Sequence, residues 1–507
     1  LTAREPASSI AGLKQHFSEG SVAEGPGAVG WWLREALASE QPGPTPIQSS
    51  GEDAHTFDVA IVGGGYTGLW TAWWLTERQP GVRVAIVEQG ICGGGPSGRN
   101  GGFVHGWWDQ LPYLIDRFGP EQALRLARLV DEAVGAIGDW CAANEVDAWY
   151  RRAGYLRVSA SSAQDGEWRS AVDACAGLGV ADQYVELSPA EIQARCASPA
   201  MRGGALMRNA ATIQPARLAR GLRGALVERG VAILEATRVK HLHAESPVRL
   251  ETDAGVLVAD QAVLAVNAWA AGWRDFATTL LAWGSHIVMT EPVPGRLAEL
   301  GWTGGEAIAD ARFTVHYFRT TPDGRLAFGA GVGAAGYGGR IDRRYDNDPR
   351  AEERARASLR RFFPTLADVG IEDAWGGPID ISPDRLPMIG SRHGGRVHFA
   401  HGFSGNGVAP AAFAGRVLAG LADEPDGELA RLPIVDRRVR RFPPEPLRFA
   451  GVRVVREALI RRDEAEDAGR RPSIAVRLLA GLPRLLGYRF GAGNAPPQAA
   501  SGQVSHD

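Results

Sequence analysis

Two rhythms of apolar residues run along this chain. Near-continuous apolar runs at 59–62 and 82–87 predict buried strands. Between them, GLWTAWWL (68–75) has helical spacing. Helices are also predicted over 30–37, 119–145, 187–195 and 216–229, the third opening on Ser188-Pro189. Strands are predicted over 151–158, 231–235, 258–265, 284–290, 314–320 and 325–330. The last two are joined by Pro322-Asp323-Gly324, a hairpin turn. In the 30–37 helix, Trp31 and Trp32 are expected to pack on the body.

The turn between the first strand and its helix carries Gly63, Gly65 and Gly68 at GxGxxG spacing. Gly63 permits the tight turn, Gly65 lets the backbone approach a pyrophosphate, and Gly68 lets helix and sheet pack closely. The pyrophosphate would sit at the helix N-terminus, where free N–H groups and the helix dipole favour an anion. The second strand ends at Glu88, 20 residues after Gly68, where a ribose hydroxyl needs an acceptor. Strand, glycines, helix, strand and acid in this order specify a dinucleotide site but not which dinucleotide.

A second glycine-rich loop, SGRNGG (97–102), follows. A plain NAD enzyme does not need it, whereas a flavin ring reaching past the pyrophosphate does. With this loop the chain resembles the FAD-dependent D-amino-acid oxidase/glycine oxidase superfamily. A third segment, WGGPIDISPDRLPMIG (375–390) followed by HFAHGFSGNGVAPAAFAGRVLAGL (398–421), resembles the same superfamily. The resemblance implies a noncovalent FAD, since no attachment residue is evident. It places Ser97, Gly98, Arg99, Asn100, Gly101 and Gly102 along the ribityl–pyrophosphate region. Tyr66, Thr67, Gln89, Arg238, Val239 and Asn267 are implied as further FAD contacts. Gly376, Gly402, Ser404, Gly405, Asn406, Gly407 and Val408 would frame the flavin from the third segment. The helix after Gly407 can point at the flavin pyrimidine, which gains negative charge on reduction.

The implied fold is α/β, with a Rossmann-type FAD domain, an inserted α+β substrate domain with an antiparallel sheet, and a helical C-terminal extension. The expected division is an N-terminal helix and linker (1–54), an FAD domain (55–108, 205–270 and 375–425), a substrate domain (109–204 and 271–374) and the extension (430–507). The linker is the Pro/Gly/Ser-rich stretch 41–51. A length of 507 residues requires more than one core. The net charge of −3 carries no nucleic-acid signal, and no apolar run reaches the length of a membrane span. Cys92, Cys141, Cys175 and Cys196 form no CxxC, so reduced thiols, no metal site and a cytoplasmic protein are expected. Residues 437–489 carry fourteen arginines against six acids, with basic amphipathic helices predicted over 452–462 and 474–486. Such a face packs on the body or on a second subunit, which would make a homodimer through the extension.

Finer segments narrow the resemblance. VHYFRTTPDGRLAFG (315–329), YGGRI (337–341), FPPEPLRFAG (442–451) and IRRDEAEDAGR (460–470) look like the aminophosphonate oxidoreductases. The gamma-glutamylputrescine oxidases share GGGYTGL, SGRNGG and the Tyr317-x-Arg319 strand. DISPDRLPMIG follows the general superfamily pattern instead of the narrower group's version. Glycine oxidases carry two arginines that fork onto an α-carboxylate. The matching positions here are Ile379 and Gly405, so an amine lacking an α-carboxylate is the expected substrate. The implied chemistry is hydride transfer from the amine α-carbon to flavin N5, giving an imine that hydrolyses. The acceptor is O2 or another oxidant, since no lysine occupies a matching oxygen-activating motif. Alternation puts Tyr317 and Arg319 on one face and His316 on the other. The candidate catalytic groups are His105, His401 and Tyr317. The candidate substrate contacts are Arg319, His286, Trp108 and Arg340, with both arginines offered to a distal phosphonate. Rival classes are a gamma-glutamylputrescine-like oxidase, an NAD(P)H-dependent flavin monooxygenase, which needs a second dinucleotide fingerprint, and a tRNA-associated flavoprotein.

Overall fold

The computed structural model describes residues 29–40, 56–331 and 333–489; the expected 41–51 linker lies outside them. Parallel strands form one sheet in the order Ala232–Leu234, Val84–Val87, Thr56–Val62, Val256–Leu264, Val397–His401. In chain order this is 3-2-1-4-5, the doubly wound dinucleotide topology. Met388–Arg392 pairs antiparallel at one edge, and the hairpin Val239–His243/Val248–Thr252 joins Val256–Leu264. The central strands read as unbroken apolar runs because both faces of the parallel sheet are covered, one by helices and the other by the Val239–His243/Val248–Thr252 hairpin and the 267–280 segment. Helix Tyr66–Arg78 lies along Val408–Asp423, whose residues 408–415 are all buried.

The second sheet has eight strands, in the order Ile371–Ile381, Leu281–Thr290, Leu326–Ala330, His316–Thr320, Ala307–Asp310, Tyr155–Val158, Gly204–Met207, Tyr184–Leu187. The 314–320/325–330 hairpin forms as expected, with register from His316 opposite Ala330 to Thr320 opposite Leu326. Its turn closes through the Gly324 N–H on the Thr321 carbonyl at 3.0 Å, with Gly324 at φ 81°. Phe318 and Phe328 stack across this hairpin at 5.1 Å, and Phe362 and Phe363 pack on them from helix Pro349–Phe362 and its end.

Three placements differ from the expected division. Gly204–Met207 pairs with Tyr155–Val158, so this start of the 205–270 segment belongs to the second sheet. The stretch 375–381 also belongs there, since Ile371–Ile381 pairs along the whole of Leu281–Thr290. Helix Pro120–Ala143, expected in the substrate domain, packs on the nucleotide-side helices instead. Trp140 meets Trp70 and Trp73 edge-on, each at 5.4 Å. Such aromatic pairs add about 0.5–1.5 kcal/mol beyond area burial. Alternation and helical periodicity do not say which layer an element packs against, so these assignments depend on partners far away in the chain.

The basic tail folds as helices Leu447–Asp467 and Ile474–Leu485, packed on each other. It is anchored by its acids. Asp463 accepts the Thr314 N–H at 3.2 Å and the Thr314 hydroxyl at 2.5 Å, and Asp467 pairs with Arg312 and Arg361. No helix among the described residues is long and apolar enough to cross a membrane.

Candidate active site

At the carboxyl end of Thr56–Val62 the chain turns through Gly63 at φ 111°. A Cβ there would lie 2.4 Å from the Ala265 carbonyl oxygen, and one at Gly68 would lie 2.0 Å from that of Gly63. Both positions therefore exclude any side chain, as the fingerprint requires. Glu88 at the end of the next strand is clamped by backbone. Its Oε2 accepts the Gly64 N–H and its Oε1 the Gly90 N–H, each at 2.8 Å. Burial pushes its carboxyl above the usual range despite those bonds. The Tyr66 N–H, at the start of helix Tyr66–Arg78, donates to Ser97 Oγ at 2.8 Å, tying SGRNGG to the fingerprint. Asn100 holds the loop's shape, donating to the Ser97 carbonyl and accepting the Gly102 N–H at 2.7 Å.

A cavity of about 930 Å³ starts here, at the carboxyl ends of the parallel strands, and extends over the face of the second sheet. Gly63, Gly65, Tyr66, Thr67, Glu88 and Gln89 line it, as do Ser97, Arg99, Asn100 and Gly101. Arg238, Val239 and Asn267 follow, the last with its Oδ1 buried and unpartnered. Ser404, Gly405, Asn406, Gly407 and Val408 line it beside a second helix N-terminus, that of Val408–Asp423. A volume at the upper end of ligand pockets, a bare glycine cradle, an orphaned amide oxygen and two helix N-termini fit the FAD that the sequence implies. Gly68, Gly98, Gly102, Gly376 and Gly402 do not line the cavity. They sit behind it: Cβ atoms at Gly98, Gly102 and Gly376 would come within 2.2 Å of the carbonyl oxygens of Gly93, Ile213 and Tyr345.

Asp380, which sequence reasoning passed over, organises the last loop. It accepts the Gly402 N–H at 2.5 Å and the Phe403 N–H at 3.1 Å. Burial pushes its carboxyl up to about 7, against the pull of these N–H groups.

On the sheet side, register places Arg157 opposite Ala309, Ala309 opposite Tyr317 and Tyr317 opposite Gly329. The small residues leave room for the large ones. The Tyr317 ring lies across Gly329, where a Cβ would come within 2.1 Å of it, and its hydroxyl meets Ser285 Oγ at 2.8 Å. Burial pushes the Tyr317 phenol up to about 12, so it stays protonated. His105 also lines the cavity, stacked on Tyr155 at 4.6 Å. Its Nδ1 lies 3.0 Å from the Gly106 carbonyl. A carbonyl only accepts, so Nδ1 carries the hydrogen and Nε2 is left as an acceptor in the neutral ring. Ile379 and Gly405 meet in the cavity wall, 3.7 Å from the Ile379 side chain to a Cβ at Gly405.

Five expected site residues lie elsewhere. His401 is buried between Phe399 and Phe276, both ring nitrogens unpaired, and burial pulls its pKa to about 3. His286 is buried beside Gly376, and burial pulls its pKa to about 4. Trp108 is buried, with Nε1 donating to Asp131 at 2.7 Å. Arg319 does share Tyr317's face, but two residues further along it lies behind Gly102 with its guanidinium 4.8 Å over Trp32. Burial pulls its pKa to about 9. Arg340 is exposed. The arginines that do line the cavity are Arg99, Arg157, Arg238, Arg312 and Arg385, and Asp109 lines it too. Alternation with Tyr155 could have flagged Arg157. Arg385 sits inside the DRLP motif but had no partner visible in the sequence.

The match to known proteins is broad. Residues 58–421 match the model of a family described as "FAD dependent oxidoreductase". A probable oxidoreductase OrdL of Rhizobium meliloti is 30% identical over 79% of this chain and 90% of its own. The gamma-glutamylputrescine oxidoreductase of Escherichia coli is 29% identical over 72% of this chain and 83% of its own. Among solved structures, the glycine oxidase of Geobacillus kaustophilus superposes with a TM-score of 0.61 at 22% identity, covering 76% of this chain and all of its own. The glycine cradle at the carboxyl ends of the 3-2-1-4-5 sheet fits FAD, and the chain belongs to the FAD dependent oxidoreductase family.

Proposed function

We propose that this enzyme oxidises an amine lacking an α-carboxylate, with aminophosphonates such as 2-aminoethylphosphonate or its N-methyl form as the substrate class. The observation that carries the reading is the apolar contact of Ile379 with the Gly405 position, where resemblance to glycine oxidases would put carboxylate-binding arginines. A carboxylate brought to that wall would be buried without a partner, at a cost of several kcal/mol. FAD, held noncovalently, supplies the acceptor for the two electrons of the C–H bond next to nitrogen. Glu88 and the Gly63–Gly68 turn hold it. His105 Nε2 takes the ammonium proton and keeps the amine neutral, which the oxidation requires. Tyr317, fixed by Ser285, orients the amine against the sheet wall. The aromatic and aliphatic lining, Phe103, Trp283, Phe313 and Phe403 among it, excludes water from the reacting carbon. The imine left behind hydrolyses to a carbonyl compound and an amine.

The 29% identity to gamma-glutamylputrescine oxidoreductase favours a second reading, a polyamine derivative as substrate. Anaerobic stopped-flow reduction separates the two. Aminophosphonates should bleach the flavin fastest, and glycine or D-alanine slowly. Fast reduction by glycine overturns the reading. Preference for gamma-glutamylputrescine selects the second, and bleaching by NADPH alone would mark a monooxygenase.

A further inference from the structure

At the cavity's second-sheet end two lining arginines, Arg157 and Arg385, meet no carboxylate closer than 3.8 Å among the described residues. Among the described residues Arg157 Nη1 reaches the Tyr155 hydroxyl, at 3.5 Å, and its Nη2 stands 3.8 Å from Glu167. Arg385 Nη2 donates to the Ser404 carbonyl at 3.1 Å, and no carboxylate pairs with it among the described residues. Behind them lies Arg489 of the C-terminal segment, buried, with Nε and Nη1 unpartnered and its guanidinium 4.4 Å over Tyr113. Arg157 and Arg489 both repel the Arg385 charge, and Asp109, Glu167 and Asp384 are the acids that face Arg489. Asp109 lines the same end, but among the described residues its Oδ1 is buried without a partner and its Oδ2 accepts from Gln110. Asp384 is taken by Arg437, and Arg312 by Asp310 and Asp467. Burial and repulsion from Arg489 and Arg157 pull Arg385 down to about 10, a guanidinium short of an anion.

We propose that Arg157 and Arg385 form a subsite for an oxyanion at the far end of the substrate, a phosphonate or a carboxylate several bonds from the reacting amine, with Arg489 adding charge from behind. This rests on the amine-oxidation reading for what the rest of the ligand does, and on nothing but the cavity for where the anion goes. Arg157 lies two strands from Tyr317, about 10 Å at the spacing of neighbouring strands. That span suits an anion held apart from an amine near His105 and Tyr317. Planar guanidinium forks match such oxyanions bidentately. The subsite replaces Arg319 and Arg340, neither of which lines the cavity.

The test uses the FAD-loaded protein and two readouts. Flavin absorbance is titrated with methylphosphonate and with acetate, probes that carry the anion and no amine. Reduction is then compared among 2-aminoethylphosphonate, 4-aminobutyrate and propylamine. The expected result is saturable spectral perturbation by an oxyanion, weakened about 10–100-fold in Arg385→Gln, as for loss of one charge-assisted contact. Arg157→Lys, which keeps the charge that faces Glu167 and so guards against misfolding, should weaken it about 10-fold and raise KM more than it lowers kcat. Methylphosphonate tighter than acetate assigns the subsite to a phosphonate, and the reverse to a carboxylate. No perturbation by either probe, or equal affinity in wild type and Arg385→Gln, overturns the subsite. So does propylamine reducing the flavin as well as both anionic amines, although that leaves the amine reading standing. Saturable, Arg385-dependent binding with no reduction by any amine does the opposite: it supports the subsite and overturns the amine reading.

Discussion

The two ends of the cavity are built differently. The nucleotide end is backbone: Gly63 and Gly68 admit no Cβ, and both Glu88 oxygens accept backbone N–H groups from within two dozen residues. The sheet end is side chain: Arg157, Ser285, Tyr317 and Arg385 come from four separate segments and meet only through sheet register and loop packing. A backbone-built site tolerates little variation, because a side chain at Gly63 or Gly68 would strike a carbonyl oxygen. A side-chain-built site can change its substrate by exchanging residues such as Ile379 without disturbing the sheet.

The contrast can be broken at its strongest point first. Glu88→Ala removes the carboxylate that the Gly64 and Gly90 N–H groups clamp at the nucleotide end. Charge-assisted bonds contribute about 1.5–3 kcal/mol each, so FAD affinity should fall at least 100-fold. The variant should purify largely as apoprotein, and full flavin occupancy measured by absorbance would show that Glu88 does not hold the ribose. Acid precipitation of the wild type should release a yellow supernatant; a coloured pellet would reject noncovalent attachment.

His105→Ala should leave flavin content intact and lower kcat/KM for amines about 100-fold, the low end for a general base. The loss should shrink as pH rises and the free amine becomes abundant. A pH-independent loss would make His105 a packing residue.

Asp380 sharpens the comparison where the two ends meet. Its folded pKa, about 7, lies above the ordinary 3.8, so the folded protein binds the proton more tightly than the unfolded chain does. Its contribution to stability is full below about pH 4 and is lost as pH rises through about 7. Thermal unfolding of Asp380→Asn should therefore show a flatter fall in Tm between pH 4 and 7 than the wild type. An unchanged slope would mean the carboxyl is ionised throughout. The smallest effect is expected at Arg340: exposed and outside the cavity, its replacement by alanine should change stability by under about 0.5 kcal/mol and leave KM for 2-aminoethylphosphonate as it was. A raised KM would return Arg340 to the site.

The sequence by itself determined the nucleotide end of this protein. GxGxxG, Glu88 and SGRNGG act over a few residues, through turn sterics, helix polarity and the reach of one carboxylate, and those forces are local. It also determined that Tyr317 and Arg319 share a face, because strand alternation is local too. Only the tertiary structure decided that Tyr317 opens on the cavity while Arg319, about 7 Å further along the strand, lies under Trp32 behind Gly102. It likewise decided that Asp380 organises a loop more than twenty residues away, and that Arg157 and Arg385 line one cavity. Which charges share a cavity depends on contacts between segments hundreds of residues apart, and in a burial-driven fold no short stretch of sequence records them.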